Sequence, residues 1–275
     1  MRLSRLAMVC LGASSLSACG SDKVTSPALP PVATVRFINA VSDTGGVDIR
    51  PVDLVAFSPA ANNLAFRDGT VYAPASAGNR HYRVFLTSLD IAVTSVVMLD
   101  ATVTLQADTR VTLLLTGSAR AGTMRLWVIN DATSAPPAGQ IGVRMINAAT
   151  GQTNGYLVTA PADPLPASPT FAGVLPVSPS GYVNRATGAA ALQVTDPGST
   201  AITASAAGPT APASLPGELP AAGVNSQGTM FSAYYFPASV LGSKAPQTPS
   251  FLAPAIVWFV DRNPCDAPAV AACTM

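Results

Sequence analysis

Residues 35–40 read VRFINA, and residues 143–148 read VRMINA. Both are short runs of β-branched and apolar residues, which favour strands. Further along, TRVTLLLTGSA at 109–119 stands in the same place relative to the first run as TMFSAYYFPAS at 229–239 does relative to the second. The shared order and spacing predict one structural module present twice in the chain.

Each predicted module also ends on a similar strand. The segment RLWVIND at 125–131 is echoed by IVWFVDR at 256–262, and we align Trp127 with Trp258. The alternative is that strands of similar composition arose separately in the two halves. The matching order of several segments favours duplication.

The chain is predicted to be all-β. Its apolar runs are short and are separated by Gly, Pro, Asn and Asp, as strands and turns require. About seven strands in ~100 residues are typical of an antiparallel, immunoglobulin-like β-sandwich. We therefore predict a first sandwich at 34–138 and a diverged second sandwich at 139–264, with the proline-containing SAPPAG at 134–139 as the boundary.

The chain begins with the pattern of a secretory signal. Two arginines, Arg2 and Arg5, precede an apolar run from Leu6 to Leu16. This run is shorter than the ~20 residues needed to span a bilayer. Residues 1–18 are predicted to be a cleaved signal peptide.

The residues that follow resemble the lipobox of bacterial lipoproteins. In LSACG at 16–20, small residues precede Cys19, and the resemblance implies that this cysteine carries the lipid and becomes the first residue of the mature protein. Several acyl chains on one residue give stable membrane attachment, which a single chain does not. The alternative is a plain secreted protein whose signal ends in a cysteine by chance.

The segment 19–33 is small, polar and proline-containing, so we predict a flexible tether. Gly20 and Ser21 are not aspartate, and by resemblance to lipoprotein sorting in enterobacteria this favours the outer membrane. The predicted location is the cell envelope, on its periplasmic or surface-exposed side. Palmitate is the lipid modification this implies.

Two cysteines remain once Cys10 leaves with the leader and Cys19 is lipidated. Cys265 and Cys273 are close in sequence and are expected to pair in an oxidising compartment. The alternative, a metal site, lacks a nearby histidine. We assign residues 265–275 to a C-terminal tail with this disulfide.

The charge pattern excludes one class of partner. The chain is 11% charged with a formal charge of +1. Nucleic-acid binding needs a clustered cationic surface, and the sequence has no such cluster. We expect no nucleic-acid partner and no cofactor.

The stretches VRFINAVSDTGGVDI, GTVYAPASAG and WVINDATSAPPAGQIGVRMINA resemble the domain of unknown function 4397 family. The resemblance implies an extracytoplasmic bacterial protein, often lipid-anchored, with tandem β-sandwich modules and no settled activity. Members usually carry a histidine after the first strand. Asn39 and Asn147 take that position here.

Candidate chemistry is sparse. The only histidine, His81, lies beside arginines at a predicted strand start, and no Gly-x-Ser-x-Gly elbow is present to supply a nucleophile. Asp43, Asp48 and Asp53 are possible calcium ligands, although their spacing matches no standard loop, and turn-forming aspartates are the alternative. We predict no catalytic residue, no metal site and no enzymatic activity.

Binding residues are predicted in the second module. Tyr234 and Tyr235 are adjacent on a strand, so at least one is expected at a surface, where it could contact a glycan or a partner protein. The Pro- and Ala-rich segments 159–180 and 205–223 are predicted to be inserted loops, where binding often occurs.

The sequence therefore favours a lipid-anchored envelope protein that acts as a non-enzymatic scaffold or as a ligand- or protein-binding module. Its expected partners are the membrane, through the lipid, and another envelope protein or a glycan. Two alternatives stay open. One is a carbohydrate-binding envelope protein, and the other is an envelope hydrolase that uses His81.

Overall fold

The computed structural model describes residues 29–54, 59–132, 134–211 and 222–264, and the compact part of the chain begins at Pro31. The predicted signal peptide, the lipidation site Cys19 and the predicted disulfide between Cys265 and Cys273 all lie outside these ranges. Within them no helix is long and apolar enough to cross a membrane.

The predicted all-β class is confirmed, with eight strands in each half of the described chain rather than about seven. The first half contains β1 (Val32–Asn39), β2 (Val47–Pro51), β3 (Ala61–Leu64), β4 (Ala73–Ser76), β5 (Gly78–Leu86), the short helix α1 (Ile91–Thr94), β6 (Val97–Leu105), β7 (Arg110–Thr116) and β8 (Arg125–Asn130). The second half contains β9 (Gln140–Asn147), β10 (Thr153–Val158), β11 (Phe171–Val174), β12 (Val183–Ala186), β13 (Ala191–Thr195), β14 (Ile202–Ala207), β15 (Met230–Phe236) and β16 (Ala255–Arg262).

The two halves have the same topology. In the first half, sheet A has the order β4-β1-β7-β8 and sheet B the order β3-β2-β5-β6. In the second half, sheet C has the order β12-β9-β15-β16 and sheet D the order β11-β10-β13-β14. Each strand of the first half thus has a counterpart eight strands later.

The sequence predicted wholly antiparallel sandwiches, but each sandwich contains one parallel pair of strands. In sheet A the pair β1 and β7 is parallel, and in sheet C the pair β9 and β15 is parallel. A parallel pair needs a long crossover connection. The strands between β1 and β7, and between β9 and β15, form that connection, and most of them build the second sheet.

The four sheets stack in the order B, A, C, D. One face of sheet A packs on sheet B through residues such as Val35, Leu113 and Val84. The other face of sheet A packs on sheet C, where Leu114 meets Tyr234 and other apolar residues. Sheets A and C are therefore covered on both faces, which explains why their strands are almost continuously apolar. All seven residues of β15 are buried.

The alignment of the two tryptophans is wrong by one residue. Trp127 pairs with Leu114 on β7, whereas Trp258 pairs with Ala233 on β15. Leu114 belongs to the face of sheet A toward sheet C, but Ala233 belongs to the face of sheet C toward sheet D. A shift of one residue reverses the face of a strand. Trp258 therefore packs inside the second sandwich, while Trp127 is exposed.

The predicted insertions are only partly loops. The segment 159–180 contains β11, the counterpart of β3, so its loop is confined to 159–170. Much of the segment 205–223 lies outside the described residues. A third insertion, which the sequence analysis missed, connects β15 and β16 at 237–254.

This third loop packs against the first sandwich. The guanidinium of Arg67 donates to the carbonyl oxygens of Ser250 at 2.8 Å and Pro237 at 2.7 Å. In addition, the Val240 N–H donates to the Ser42 carbonyl at 2.8 Å. The loop thus fastens the second half of the chain to the first, and its Phe251 packs against the apolar cluster between sheets A and C.

Candidate functional site

A buried cluster of charges lies at the interface of sheets A and C. Arg36 of β1 donates from Nε to Thr112 Oγ1 at 2.7 Å, within its own sandwich. Its other nitrogens reach across to the second sandwich, to the Val260 carbonyl at 2.8 Å and to Asp261 Oδ1 at 2.5 Å. The carboxylate nearest to Arg36 therefore comes from the opposite module, while Asp131 of its own sandwich lies 3.9 Å away.

Arg144 of the second sandwich makes the equivalent contacts to its own sandwich and to the first. Arg144 of β9 donates from Nε to Ser232 Oγ at 2.7 Å and from Nη1 to the Asn130 carbonyl at 2.7 Å. Its Nη2 bonds to Asp131 of the first sandwich. We call these four charged residues, Arg36, Asp131, Arg144 and Asp261, the reciprocal clamp. Its two halves are related by an approximate two-fold axis.

Two tyrosines complete the clamp. The Tyr72 hydroxyl donates to Asp131 Oδ2 at 2.7 Å, and the Tyr182 hydroxyl donates to Asp261 Oδ2 at 2.6 Å. The Arg36 guanidinium lies 4.7 Å from the centre of the Tyr72 ring, and Arg144 lies 4.7 Å from that of Tyr182. These separations are typical of cation–π contacts.

The electrostatics keep the arginine and tyrosine side chains of the clamp protonated. Burial alone would lower the pKa of Arg36, but Asp261, Tyr234, Tyr72 and Asp131 together outweigh it, and the pKa lies well above its ordinary value. Burial raises the pKa of Tyr72 and of Tyr182 far above the usual range, so both phenols are neutral donors. Burial, and then the nearby Asp261 carboxylate, raise the pKa of Asp131. When both aspartates are ionised, the two arginines and two aspartates carry no net charge.

The clamp belongs to the architecture rather than to catalysis. Its four charged side chains are each at most 3% exposed, so solvent has almost no access to them. Removing one partner of such a pair leaves an uncompensated buried charge, which costs about 3–5 kcal/mol. The clamp therefore fixes the two sandwiches in one relative orientation.

Tyr234 and Tyr235 do not form a surface site, and the prediction that one of them is exposed is wrong. Tyr234 is fully buried between sheets A and C, and Tyr235 is 6% exposed between sheets C and D. The prediction assumed a sandwich with one solvent face, whereas β15 has a sheet on each side. The Tyr234 hydroxyl is buried without a hydrogen-bond partner among the described residues.

Asn39 and Asn147 shape the turns after the first strand of each sandwich. Asn39 Oδ1 accepts from the Val41 N–H at 2.9 Å, and its Nδ2 donates to the Leu64 carbonyl at 3.0 Å. Asn147 makes the equivalent bonds to Ala149 at 2.9 Å and to Val174 at 3.1 Å. A short amide that satisfies two backbone groups accounts for asparagine at these positions.

His81 lies on the solvent face of sheet B. Its Nε2 contacts the Asp100 carboxylate, which also accepts from Arg83 Nε at 2.8 Å. These hydrogen bonds, first from His81 and then from Arg83, lower the pKa of Asp100. The three side chains form an exposed polar strip across β5 and β6.

The three aspartates considered as calcium ligands each interact with a different protein group. Asp43 accepts from Ser118 Oγ at 2.5 Å, and Asp48 accepts from Thr87 Oγ1 at 2.6 Å. Asp53 pairs with Arg80 at 3.3 Å. Across the described ranges no group of three or more metal-ligating side chains comes together.

An open cleft lies where the edge strands of sheets A and B meet. It has a volume of about 450 Å³, within the range of small-molecule sites. Its lining combines apolar and polar residues and comprises Leu99, Ala101, Thr102, Gly122, Thr123, Met124, Arg125, Leu126 and Trp127. The Trp127 side chain points to the opposite face of β8, and its indole N–H bonds to Thr116 on β7. Trp127 is 41% exposed. We call this site the β6–β8 cleft.

The sequence analysis missed both the clamp and the cleft. A signal for the clamp existed, because Arg36 and Arg144 occupy the same place in VRFINA and VRMINA, and an arginine repeated within an apolar strand requires a buried partner. A signal for the cleft was the alternation of TMRLWVIN, which puts Met124 and Leu126 on one face of the strand, the face that lines the cleft, and Trp127 on the other. Neither pattern identifies the partner strand.

The fold and these sites define a protein of two stacked β-sandwiches joined by a buried ionic interface. The family model described as domain of unknown function DUF4397 matches residues 33–154. That span includes nearly the whole first sandwich and the first strand of the second. It supports the family to which the sequence pointed.

No curated protein matches the chain. Among solved structures, an alpha-glucan-binding streptococcal virulence factor is 12% identical, with 62% of this chain and 83% of that chain covered and a TM-score of 0.20. Family 41 carbohydrate-binding modules from streptococcal virulence factors are 11% identical, with 62% and 85% covered and a TM-score of 0.20. Similarity this low carries no argument about the fold or the ligand of this chain.

Proposed function

We propose that the protein is a non-enzymatic binding module displayed at the cell envelope, held there by a lipid on Cys19, and that both of its sandwiches belong to the DUF4397 family. The observation that carries the proposal is the reciprocal clamp. Its charged side chains hold the two sandwiches in one orientation. A rigid pair of sandwiches suits a protein that presents surface clefts and loops to a partner.

The anchor is inferred from LSACG at 16–20, and the 12 residues between Cys19 and Val32 would span at most about 45 Å. This length lets the sandwiches stand clear of the lipid surface. The lipid would fix the position of the protein, the tether would set its reach, and the clamp would keep the two sandwiches rigid.

Metabolic labelling with an alkyne-tagged palmitate tests the anchor. We expect label on the wild-type chain, its loss in Cys19→Ala and its retention in Cys10→Ala, because Cys10 would leave with the leader. Unlabelled wild-type protein, or equal labelling of all three, would contradict the lipid anchor.

Crosslinking in intact envelopes tests the binding role. The wild-type chain should capture a defined envelope component, and protease accessibility of the same sample reports on which side of the membrane it lies. If the lipidated protein crosslinks to nothing reproducible, the display function is wrong even where the anchor is right.

The competing hydrolase hypothesis depends on His81. The strip formed by His81, Asp100 and Arg83 is open to solvent, and the Asp100 carboxylate is already shared between His81 and Arg83. His81→Ala is expected to leave every envelope phenotype of the protein unchanged. A hydrolytic activity that disappears in this variant would favour the hydrolase instead.

A further inference from the structure

We propose that the first sandwich binds a small neutral molecule with an apolar body and a carbonyl group, held between sheets A and B beside Arg80. The inference rests on the proposed binding function and gives it a ligand class and a site. The residue that carries it is Arg80, an arginine on the interior face of a sheet.

Arg80 lies on the inner face of sheet B. On β5 it stands two residues before Tyr82 and four before Val84, which are both buried in the core of the first sandwich. It pairs with Val103 of β6, which belongs to the same core. Residues two apart on a strand, and residues opposite one another, share a face of a sheet. The next arginine of β5, Arg83, has the opposite orientation, and its side chain is 42% exposed.

The protein satisfies the Arg80 guanidinium only in part. Its Nη1 lies 3.3 Å from Asp53 Oδ2, and the side chain is 17% exposed. Its Nε is buried and has no hydrogen-bond partner among the described residues. A buried donor without an acceptor is unfavourable and requires an explanation. An oxygen atom of a bound molecule would supply the missing acceptor.

The fold itself does not need this arginine. The strand registers of the two sandwiches place Leu192 at the position of Tyr82 and Ala190 at the position of Arg80. Both Leu192 and Ala190 are buried, so the second sandwich closes its core at these positions with apolar side chains alone. A guanidinium inside the first sandwich is therefore a feature of that module rather than of the architecture.

A cavity between sheets A and B offers room for a ligand beside this arginine. Its volume is about 260 Å³, just below the range for drug-sized ligands, so its occupant is small. Val35 and Phe37 of β1 line it from sheet A, and Tyr82 lines it from sheet B, with its ring centre 5.5 Å from that of Phe37. Two further lining residues, Leu54 and Val71, are 45% and 84% exposed, so the lining extends to the protein surface.

The charges at the cavity select the chemical class of the ligand. Arg80 and Asp53 together carry no net charge, which favours a neutral molecule. Burial, and then Asp53, raise the pKa of Tyr82 to about 12, so its hydroxyl is protonated at neutral pH. A carbonyl oxygen can accept from the Arg80 Nε–H, whereas an ammonium group cannot accept and a carboxylate would lie beside Asp53. The apolar walls require an apolar body on the same molecule.

The test is titration of the purified full chain with hexanamide, followed by ligand-observed NMR. Hexylammonium has the same chain without an acceptor, and acetamide has the carbonyl without the apolar body. Hexanamide is expected to bind. Hexylammonium should bind about tenfold more weakly or less, as the loss of a hydrogen bond to a charged group implies. Acetamide should show no binding in the same concentration range.

Arg80→Met keeps the apolar stem and removes the Nε–H donor. It is expected to weaken hexanamide binding about tenfold or more and to remove the preference over hexylammonium. Arg83→Met is the matched control, because it changes an arginine of the same strand on the opposite face, and it should bind as the wild type does. Circular dichroism checks that both variants are folded. Arg80→Lys keeps the charge beside Asp53 and should also weaken binding, which covers the case in which Arg80→Met does not fold.

A second measurement reports on the donor directly. In the ¹⁵N-labelled protein, the Arg80 Nε–Hε signal is identified by its loss in Arg80→Lys. Hexanamide is expected to shift this signal, and acetamide at the same concentration is not.

Three results would each overturn the inference. They are the absence of hexanamide binding, hexanamide binding of wild-type strength in the folded Arg80 variants, and equal affinity of the wild type for hexanamide and hexylammonium. None of them bears on the lipid label at Cys19 or on crosslinking in intact envelopes. Failure of this inference is therefore distinguishable from failure of the proposed function.

Discussion

Arg36 and Asp261 lie 225 residues apart in the sequence, and their side chains meet at 2.5 Å in the centre of the molecule. The same contact is made in the opposite direction by Arg144 and Asp131. Each sandwich supplies one arginine and one aspartate, and Arg36 lies nearer to Asp261 of the other module, at 2.5 Å, than to Asp131 of its own, at 3.9 Å. The shortest ion pairs of the clamp therefore join the two modules.

Breaking this pair is expected to destabilise the whole protein. Asp261→Ala removes the carboxylate and leaves Arg36 buried without its partner, so the free energy of unfolding should fall by about 3–5 kcal/mol. Urea denaturation followed by circular dichroism measures the loss.

The control for this variant is an exposed ion pair. Arg83 bonds to Asp100 at 2.8 Å, and both side chains are more than 40% exposed. Arg83→Ala is expected to cost less than about 1 kcal/mol. Equal losses in Asp261→Ala and Arg83→Ala would mean that the clamp is not sealed from water.

Replacing both members of the pair should cost less than replacing one. In Arg36→Met with Asp261→Leu, no buried charge lacks a partner, and apolar replacements of buried ion pairs are often neutral or stabilising. We expect the double variant to regain a large part of the stability lost in Asp261→Ala, as measured in a double-mutant cycle. Strictly additive losses would argue against direct coupling between the two side chains.

The interface between the sheets also limits side-chain size at Gly69. A Cβ atom at this position would come within 2.6 Å of Phe259 Cε1 in the opposite sandwich. Gly69→Ala should therefore force the interface apart and lower the free energy of unfolding by about 1–3 kcal/mol.

Gly151→Ala is the matched control for Gly69→Ala, since a Cβ atom at Gly151 would meet nothing within 4 Å beyond its own chain neighbours. It should be within about 0.5 kcal/mol of wild type. Thermal unfolding of both variants checks the comparison. A stable Gly69→Ala protein would show that Phe259 rearranges without cost.

The stability of the first sandwich should depend on the ionisation of Asp43. Burial alone would raise the pKa of Asp43, but hydrogen bonds from Ser118 Oγ and from the Ala119 and Arg120 N–H groups lower it below the ordinary 3.8. The folded state therefore favours the carboxylate. The stabilisation is complete above about pH 4, which follows the unfolded pKa, and is lost as the pH falls through the folded pKa.

Asp43→Asn should accordingly lower the free energy of unfolding by about 1–3 kcal/mol at neutral pH, and by less as the pH approaches 3. Urea denaturation at pH 7 and pH 3 measures this difference. Asp196→Asn, at an exposed turn, should have little effect at either pH. A gap between wild type and Asp43→Asn that widens in acid would contradict the sign of the pKa shift.

Much of the fold was predictable because its causes are local. Short apolar runs such as VRFINA and TRVTLLLTG are bounded by turn residues, and they became β1 and β7. The site residues were harder, because adjacent tyrosines on a strand show opposite faces but not what covers each face. Tyr234 is covered by sheet A, which comes from the other module, and Tyr235 is covered by sheet D.

By itself the sequence determined an all-β chain of two similar modules, because strand and turn preferences act over a few residues. Only the tertiary structure decided that sheets A and C pack together, that the carboxylate nearest to Arg36 is Asp261 of the other module, and that Trp127 rather than Tyr234 reaches solvent. The reason is that alternation along a strand defines two faces, whereas burial depends on which distant sheet lies against each of them.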